Sequence, residues 1–161
     1  MSFSIDGKTV IVTGAANGIG AALARHFAEN GANVMCADID EKALKKDLGE
    51  SADDSNVRYF AGDLREKLTL ANLLSATVDA FDRVDVLVNA SRQVATTDPL
   101  DMEDETVEKL LQQNLMTSLR LSQMVAKRMI KQDEEQDHEF AGTIINLSSI
   151  AARLTQPELL A

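Results

Sequence analysis

Three glycines in the segment TGAANGIG have the spacing of a loop that could bind phosphate groups. Gly14 permits a tight turn, Gly18 lets the backbone approach a pyrophosphate, and Gly20 lets the following helix pack closely on a strand. Asn17 and Ile19 lie between these glycines, where the N–H groups of a helix N-terminus would face the phosphates. The segment therefore predicts a dinucleotide site, and a glycine-rich turn without a ligand is the weaker alternative.

An acidic residue, Asp38, ends the second apolar run in the segment CADID. A carboxylate at this place can accept hydrogen bonds from both hydroxyls of an adenosine ribose, and it repels a 2′-phosphate. The nearby positions hold Ile39, Ala15 and Ala16, so no arginine is adjacent to it. NAD is therefore the expected cofactor, in preference to NADP. The alternative role of capping a helix suits Asp40 better.

Two serines, Ser148 and Ser149, follow an apolar run near the end of the chain. A hydroxyl at the mouth of a strand can donate a hydrogen bond to a developing oxyanion. Serines that end a strand can equally satisfy the backbone of the next loop, and the two residues alone favour that structural role.

Five short β-branched runs alternate with longer helical patterns. Because most of the runs are apolar on both faces, they predict a parallel sheet that helices cover on both sides. The expected fold class is therefore α/β, with a doubly wound, Rossmann-type sheet. The predicted strands are Thr9–Thr13, Asn33–Ala37, Val57–Ala61, Val84–Asn89 and Thr143–Ser148.

The helical patterns differ in length. The first ends at Asn30-Gly31, a pair that favours a helix C-cap. The longest extends from about Met102 to Lys131 and is apolar over more than one face, which predicts that the sheet and a second subunit both cover it. An acidic, solvated connection is expected over residues 131–142.

These motifs resemble, in order along essentially the whole chain, those of the short-chain dehydrogenase/reductase family. TGAANGIG matches the family's TGxxxGxG pattern, GDL its adenine-site aspartate, VNAS its NAG motif, QQNLMTS its mid-helix asparagine and INLSS its serine strand. The resemblance implies adenine recognition for Asp63 and Leu64, cofactor contact for Asn89, Ala90 and Ser91, and catalysis for Asn114 and Ser149.

Ser91 departs from the family pattern, because it stands where the NAG motif has its glycine. Glycine at this position lets the backbone pass close to the cofactor. The serine is expected either to narrow the site or to add a hydrogen bond.

The resemblance implies hydride transfer between a secondary alcohol or ketone and the nicotinamide. In the family a Tyr is the general acid/base, and a Lys four residues later lowers its pKa. The Tyr is expected about thirteen residues after the serine, at position 162, and the one tyrosine present, Tyr59, lies in the third strand. The catalytic pair and the last strands and helices are therefore expected beyond residue 161, and the chain alone is expected to be inactive.

Two interpretations of the 1–161 segment stay open. It is either the cofactor-binding part of a longer enzyme, as a single but incomplete domain, or a nucleotide-binding regulatory module without catalysis. The apolar run TIINL favours the first, because an interior parallel strand needs a neighbour on both sides.

Composition limits the partners. The net charge of −10 argues against a nucleic-acid partner, since phosphate binding needs an excess of Lys and Arg. A single cysteine, Cys36, excludes an internal disulfide and a multi-cysteine metal site, so no metal is expected. The N-terminal segment lacks a signal-peptide pattern, and no apolar run has membrane-spanning length, so a cytoplasmic location without a membrane partner is expected.

A homodimer or homotetramer is expected from the apolar face of the longest helix. The family packs this helix against its copy in a partner subunit. The residues expected at that interface are Met116, Arg120, Leu121, Met124 and Ile130.

Overall fold

The computed structural model describes residues 4–48, 56–98, 100–136, 141–150 and 153. Its strands are β1 Thr9–Thr13, β2 Asn33–Asp38, β3 Val57–Ala61, β4 Val86–Asn89 and β5 Thr143–Asn146. They form one parallel sheet in the order β3-β2-β1-β4-β5. All five strands predicted from the sequence are therefore confirmed, apart from their exact ends.

Helices fill the connections between the strands. They are α1 Gly18–Glu29, α2 Glu41–Leu48, α3 Lys67–Phe81, α4 Thr106–Leu110 and α5 Thr117–Gln136, and a π-helical turn over Leu111–Met116 joins α4 to α5. Within the described ranges, none of these helices combines the length and the apolar character that crossing a membrane requires.

Both faces of the sheet are covered, which confirms the doubly wound α/β prediction. On one face Ile11 and Leu87 pack with residues of α3 and α5. On the other face Val10 and Cys36 pack with residues of α1 and α2. Every residue of β1 is buried, because this strand lies at the centre of the sheet and is covered on both sides.

The strand order reverses at β1, which lies between β2 and β4. Thr13 at the end of β1 pairs with Asn89 of β4, and Asn89 pairs with Asn146 of β5. β5 ends there and not at the predicted Ser148, because its partner β4 also ends at this pair. The carboxyl ends of the central strands thus meet at one edge, where sheets of this kind bind their ligands.

The long helix predicted to start at Met102 starts later in the structure. The carboxylate of Asp104 accepts the N–H of Thr106 at 2.8 Å, so the first helical turn begins at that residue. The predicted uninterrupted helix is also wrong in its middle, because residues 111–116 form the π-helical turn.

The same helix ends later than predicted, because residues 131–136 are helical and not part of an acidic connection. The buried side-chain amide of Gln132 accepts the N–H of Val84 at 3.0 Å and donates to its carbonyl at 2.9 Å. These bonds hold the end of α5 next to the sheet and occupy both backbone groups of Val84, so Val84 does not join β4. Residues 137–140 of the predicted connection lie outside the described residues.

Of the residues expected at a subunit interface, Leu121 packs inside the subunit instead, and Met124 is partly buried there. Leu121 is 0% exposed, and Met124 packs against the same core cluster. Leu111, Leu115 and Leu119 are exposed on this helix, at 48%, 55% and 45%. The π-helical turn shifts the register of the helix, so sequence spacing alone misassigns which apolar residues face outward.

Candidate cofactor site and active site

The glycine loop connects β1 to α1, and two of its glycines are required by close contacts. Gly14 has a φ of +68°, and a Cβ there would lie 2.7 Å from the Cα of Ser91. A Cβ on Gly20 would overlap the carbonyl oxygen of Gly14. Any side chain at either position would therefore push the loop away from its neighbours.

Gly18 differs from the other two glycines. Its φ is +54°, yet a Cβ there would meet no heavy atom of the described residues within 4 Å. The backbone of Asn17 is extended, and its side chain makes no capping hydrogen bond to the described residues of the first turn of α1. Ile19 beside it is 66% exposed. The N-terminus of α1 thus offers uncapped N–H groups next to open space, which fits a pyrophosphate.

Asp38 is the last residue of β2, one position beyond the predicted end of that strand. Its carboxylate accepts the N–H of Ala16 at 3.1 Å through one oxygen and the N–H of Asp40 at 3.0 Å through the other. These bonds fix the carboxylate between the glycine loop and the start of α2, and each oxygen keeps a lone pair for a ribose hydroxyl. Asp40 accepts the N–H of Ala43 at 3.0 Å, as expected for a helix cap.

Asp63 lies just after β3 and forms an ion pair with Arg65. The guanidinium donates to both carboxylate oxygens, with the Nε at 2.9 and 3.0 Å and the Nη2 at 2.5 Å. The hydrogen bonds from Arg65 lower the pKa of Asp63, although partial burial of the carboxyl opposes them. Leu64 between the two is buried, and the N–H of Gly62 joins this loop to the carbonyl of Asp38 at 2.9 Å. Asp63, predicted to bind adenine, thus lies in a loop that is hydrogen-bonded to Asp38, predicted to bind the ribose.

Thr13 ties the end of β4 to the glycine loop, a contact that the sequence interpretation missed. Its Oγ1 accepts the N–H groups of Ala90 and Ser91, both at 3.1 Å. A threonine ending an apolar strand was the available signal, but its partners lie 77 and 78 residues away. Only the pairing of β1 with β4 makes the contact predictable.

Asn89 is buried and connects three elements. Its side-chain amide donates to the Oγ of Ser122 on α5 at 3.0 Å and to the Oδ1 of Asn146 on β5 at 2.8 Å. Ser149 lies three residues beyond Asn146 and is half-buried, whereas Ser148 is exposed. The structure therefore brings the predicted serine to the same edge of the sheet as the cofactor residues.

Asn114 lies in the π-helical turn, not in a regular helix. Its side-chain amide accepts the N–H of Gln93 at 2.8 Å and donates to the carbonyl of the same residue at 2.9 Å. The neighbouring Gln113 donates from Nε2 to the Oγ of Ser91 at 3.1 Å. The Ser91 hydroxyl thus accepts a hydrogen bond from within the chain, and both predicted effects of Ser91 on the cofactor site stay predictions. Gln113 was not predicted, and no spacing signal pointed to it.

Comparisons with known proteins agree with this geometry. A family model described as short chain dehydrogenase matches residues 8–161. The chain is similar to an uncharacterized oxidoreductase of Thermotoga maritima, with 32% identity over 96% of this chain and 58% of the relative. It is 34% identical to D-threitol dehydrogenase of Mycolicibacterium smegmatis, over 93% of this chain and 55% of that protein.

The name of a third relative includes its cofactor. An NAD-dependent glycerol dehydrogenase of Listeria innocua is 29% identical over 93% of this chain and 56% of its own length. The chain therefore spans little more than half the length of these curated relatives.

Proposed function

The chain belongs to the short chain dehydrogenase family, and from this membership we propose that it carries the cofactor site of an NAD-dependent oxidoreductase. Bound NAD would exchange a hydride with the substrate, which we propose to be a secondary alcohol or its ketone. The observation that carries the cofactor choice is the Asp38 carboxylate, fixed by two backbone N–H groups where the adenosine ribose would lie.

Different residues at the carboxyl edge of the sheet would bind different parts of a dinucleotide. Gly18 and the start of α1 would bind the pyrophosphate, supported by the open space beside that glycine. Asp63 would accept the adenine amino group, supported by the ion pair that keeps it ionised. The loop after β4 would approach the nicotinamide side, supported by its contact with the glycine loop.

Ser149 and Asn114 are the catalytic candidates of this chain. We assign to Ser149 a hydrogen bond to the substrate oxygen, and to Asn114 the support of a proton-relay water. The family's Tyr and Lys pair has no match in residues 1–161, and we propose that the complete protein supplies it after Ala161. The exposed Ile145 of β5 and the greater length of the relatives support this proposal. The 161 residues alone are then inactive.

We propose a homodimer or homotetramer, supported by the exposed leucines of the π-helical turn and α5 and by the exposed Ile130. We also propose a cytoplasmic location, supported by a single cysteine that is buried in β2.

Calorimetric titration of the complete protein with NADH and NADPH tests the cofactor assignment. We expect tighter binding of NADH, because the Asp38 carboxylate repels a 2′-phosphate. Asp38→Ala should erase the preference. Asp40→Ala is the matched control, since it removes a neighbouring carboxylate that caps α2, and it should cost about 1 kcal/mol of stability while keeping the preference. Equal affinity of the unmodified protein for both cofactors would contradict the assignment.

A further inference from the structure

Three consecutive polar residues of the π-helical turn each donate a side-chain hydrogen bond to a different backbone or side-chain acceptor near the candidate site. They are Gln112, Gln113 and Asn114, and their acceptors are the carbonyl of Arg65 at 3.4 Å, the Oγ of Ser91 at 3.1 Å and the carbonyl of Gln93 at 2.9 Å. The wider winding of a π turn changes the directions of successive side chains, and such turns occur frequently at functional sites. The turn thus holds the loops that follow β3 and β4.

The contact of Gln113 with Ser91 stands out because it restrains a side chain next to the glycine loop. The N–H of Ser91 donates to the Oγ1 of Thr13, and a Cβ on Gly14 would lie 2.7 Å from the Cα of Ser91. The backbone of Ser91 is therefore fixed against the first strand and its loop. Its hydroxyl accepts a separate hydrogen bond, from Gln113 of the π-helical turn.

We propose that Gln113 is a positioning residue, an inference that rests on the proposed dinucleotide site. Gln113 holds the Ser91 hydroxyl against the π-helical turn and so keeps that hydroxyl out of the space the cofactor would occupy. Serine has three staggered χ1 positions, and the bond to Gln113 selects one of them before any ligand arrives. Without that bond, part of the binding free energy must be spent on selecting the same rotamer.

A double-mutant cycle follows from this role. We expect Gln113→Met to raise the dissociation constant for NADH about threefold or more, because the hydroxyl then distributes over three staggered positions, of which one is clear of the cofactor. In a Ser91→Gly background no hydroxyl needs to be held, so the same change should have less than about a twofold effect. Ser91→Ala, which keeps the Cβ but removes the hydroxyl, should abolish the dependence on Gln113 in the same way.

The experiment is calorimetric titration of the complete protein with NADH, with the melting temperature of every variant measured in parallel. Gln123→Met is the matched control, because Gln123 is exposed on α5, and it should leave the dissociation constant unchanged. If Gln113→Met does not fold, Gln113→Ala takes its place. The inference is supported when the loss of affinity depends on the Ser91 hydroxyl and the melting temperatures show that every variant is folded at the temperature of the titration.

Two results would overturn it, and they are distinguishable. Equal losses of affinity in the Ser91, Ser91→Gly and Ser91→Ala backgrounds would mean that Gln113 acts without the hydroxyl. That outcome leaves the proposed function intact, since the unmodified protein still binds NADH. Failure of the unmodified protein to bind either NADH or NADPH would overturn the proposed function together with this inference.

Discussion

The protonation of Asp63 depends on its neighbour Arg65. The hydrogen bonds from Arg65 lower its pKa, so it stays ionised below the value of about 3.9 that an unperturbed aspartate has. Because the folded-state pKa is the lower one, the stabilisation is present above the unfolded value and is lost as the pH falls through the folded pKa.

Arg65→Met should therefore raise the pKa of Asp63 towards the unperturbed value. A carboxyl-carbon NMR titration measures this, and the acidic limb of NADH binding should move to higher pH in the same variant. Lys67→Met is the control, since it removes a cation four residues along the chain, whereas the hydrogen bonds that lower the pKa of Asp63 come from Arg65. An unchanged titration of Asp63 in Arg65→Met would contradict the ion pair.

The two serines after β5 allow a second prediction at the same scale. Ser149→Ala in the complete protein should lower kcat by about 100-fold or more, as for other lost oxyanion donors. Ser148→Ala should be much milder, because Ser148 is exposed. Steady-state kinetics with a substrate of the complete enzyme measure both, and reversed effects would show that the assignment is off by one residue.

Single residues show where sequence interpretation succeeds and where it ends. Gly20 could be assigned from local spacing, because its close contact is with Gly14 in the same loop. The place of Asp38 at the end of β2 was also predicted, whereas its role in cofactor binding stays a prediction. Thr13 and Gln113 could not be assigned, because their partners come from distant elements. The bond from Gln113 lies in a π-helical turn, for which the apolar pattern of a helix gives no signal.

At the scale of elements, the junction of α5 with β4 depends on Gln132. Its buried amide pairs with both backbone groups of Val84, and its Oε1 also accepts the Nε of Arg128 at 2.9 Å. Gln132→Leu should lower the free energy of unfolding by about 2 kcal/mol, because it leaves buried backbone groups unpaired.

Urea denaturation of the complete protein measures this difference. Gln123→Leu makes the same chemical change at an exposed position of the same helix and should stay within about 0.5 kcal/mol of the unmodified protein. Equal effects of the two changes would refute the anchoring role of Gln132.

The same junction explains which element boundaries were mispredicted. The apolar alternation predicts β4 from Val84, but a side chain 48 residues away takes the hydrogen bonds of that residue. The acidic residues after Lys131 predict a solvent-exposed connection, yet Gln132 is anchored to Val84 and the helix continues to Gln136. Strand existence and order follow from local apolar runs, whereas these ends depend on tertiary contacts.

At the scale of the whole molecule, a row of exposed leucines is left on the surface of the described residues. Leu111, Leu115 and Leu119 recur every four residues along the π-helical turn and the start of α5. Exposed apolar patches of this kind mark interaction surfaces, and a two-fold axis through the row would bury it against its own copy. The interface predicted from the sequence consists of other residues, Met116, Arg120, Leu121, Met124 and Ile130, of which Leu121 is enclosed in the core.

Replacing the central leucine tests whether this row forms a subunit interface. Leu115→Glu would bury an unpaired carboxylate in the interface, a cost large enough to dissociate it, so light scattering at micromolar concentration should find a monomer. Leu68→Glu is the matched control, because Leu68 is 73% exposed on a different helix, α3, and the oligomer should persist in it. A monomeric unmodified protein, or an oligomer that survives Leu115→Glu, would exclude this surface as the interface. Dissociation in both variants would point to a general effect of added negative charge on a chain that already carries a net charge of −10.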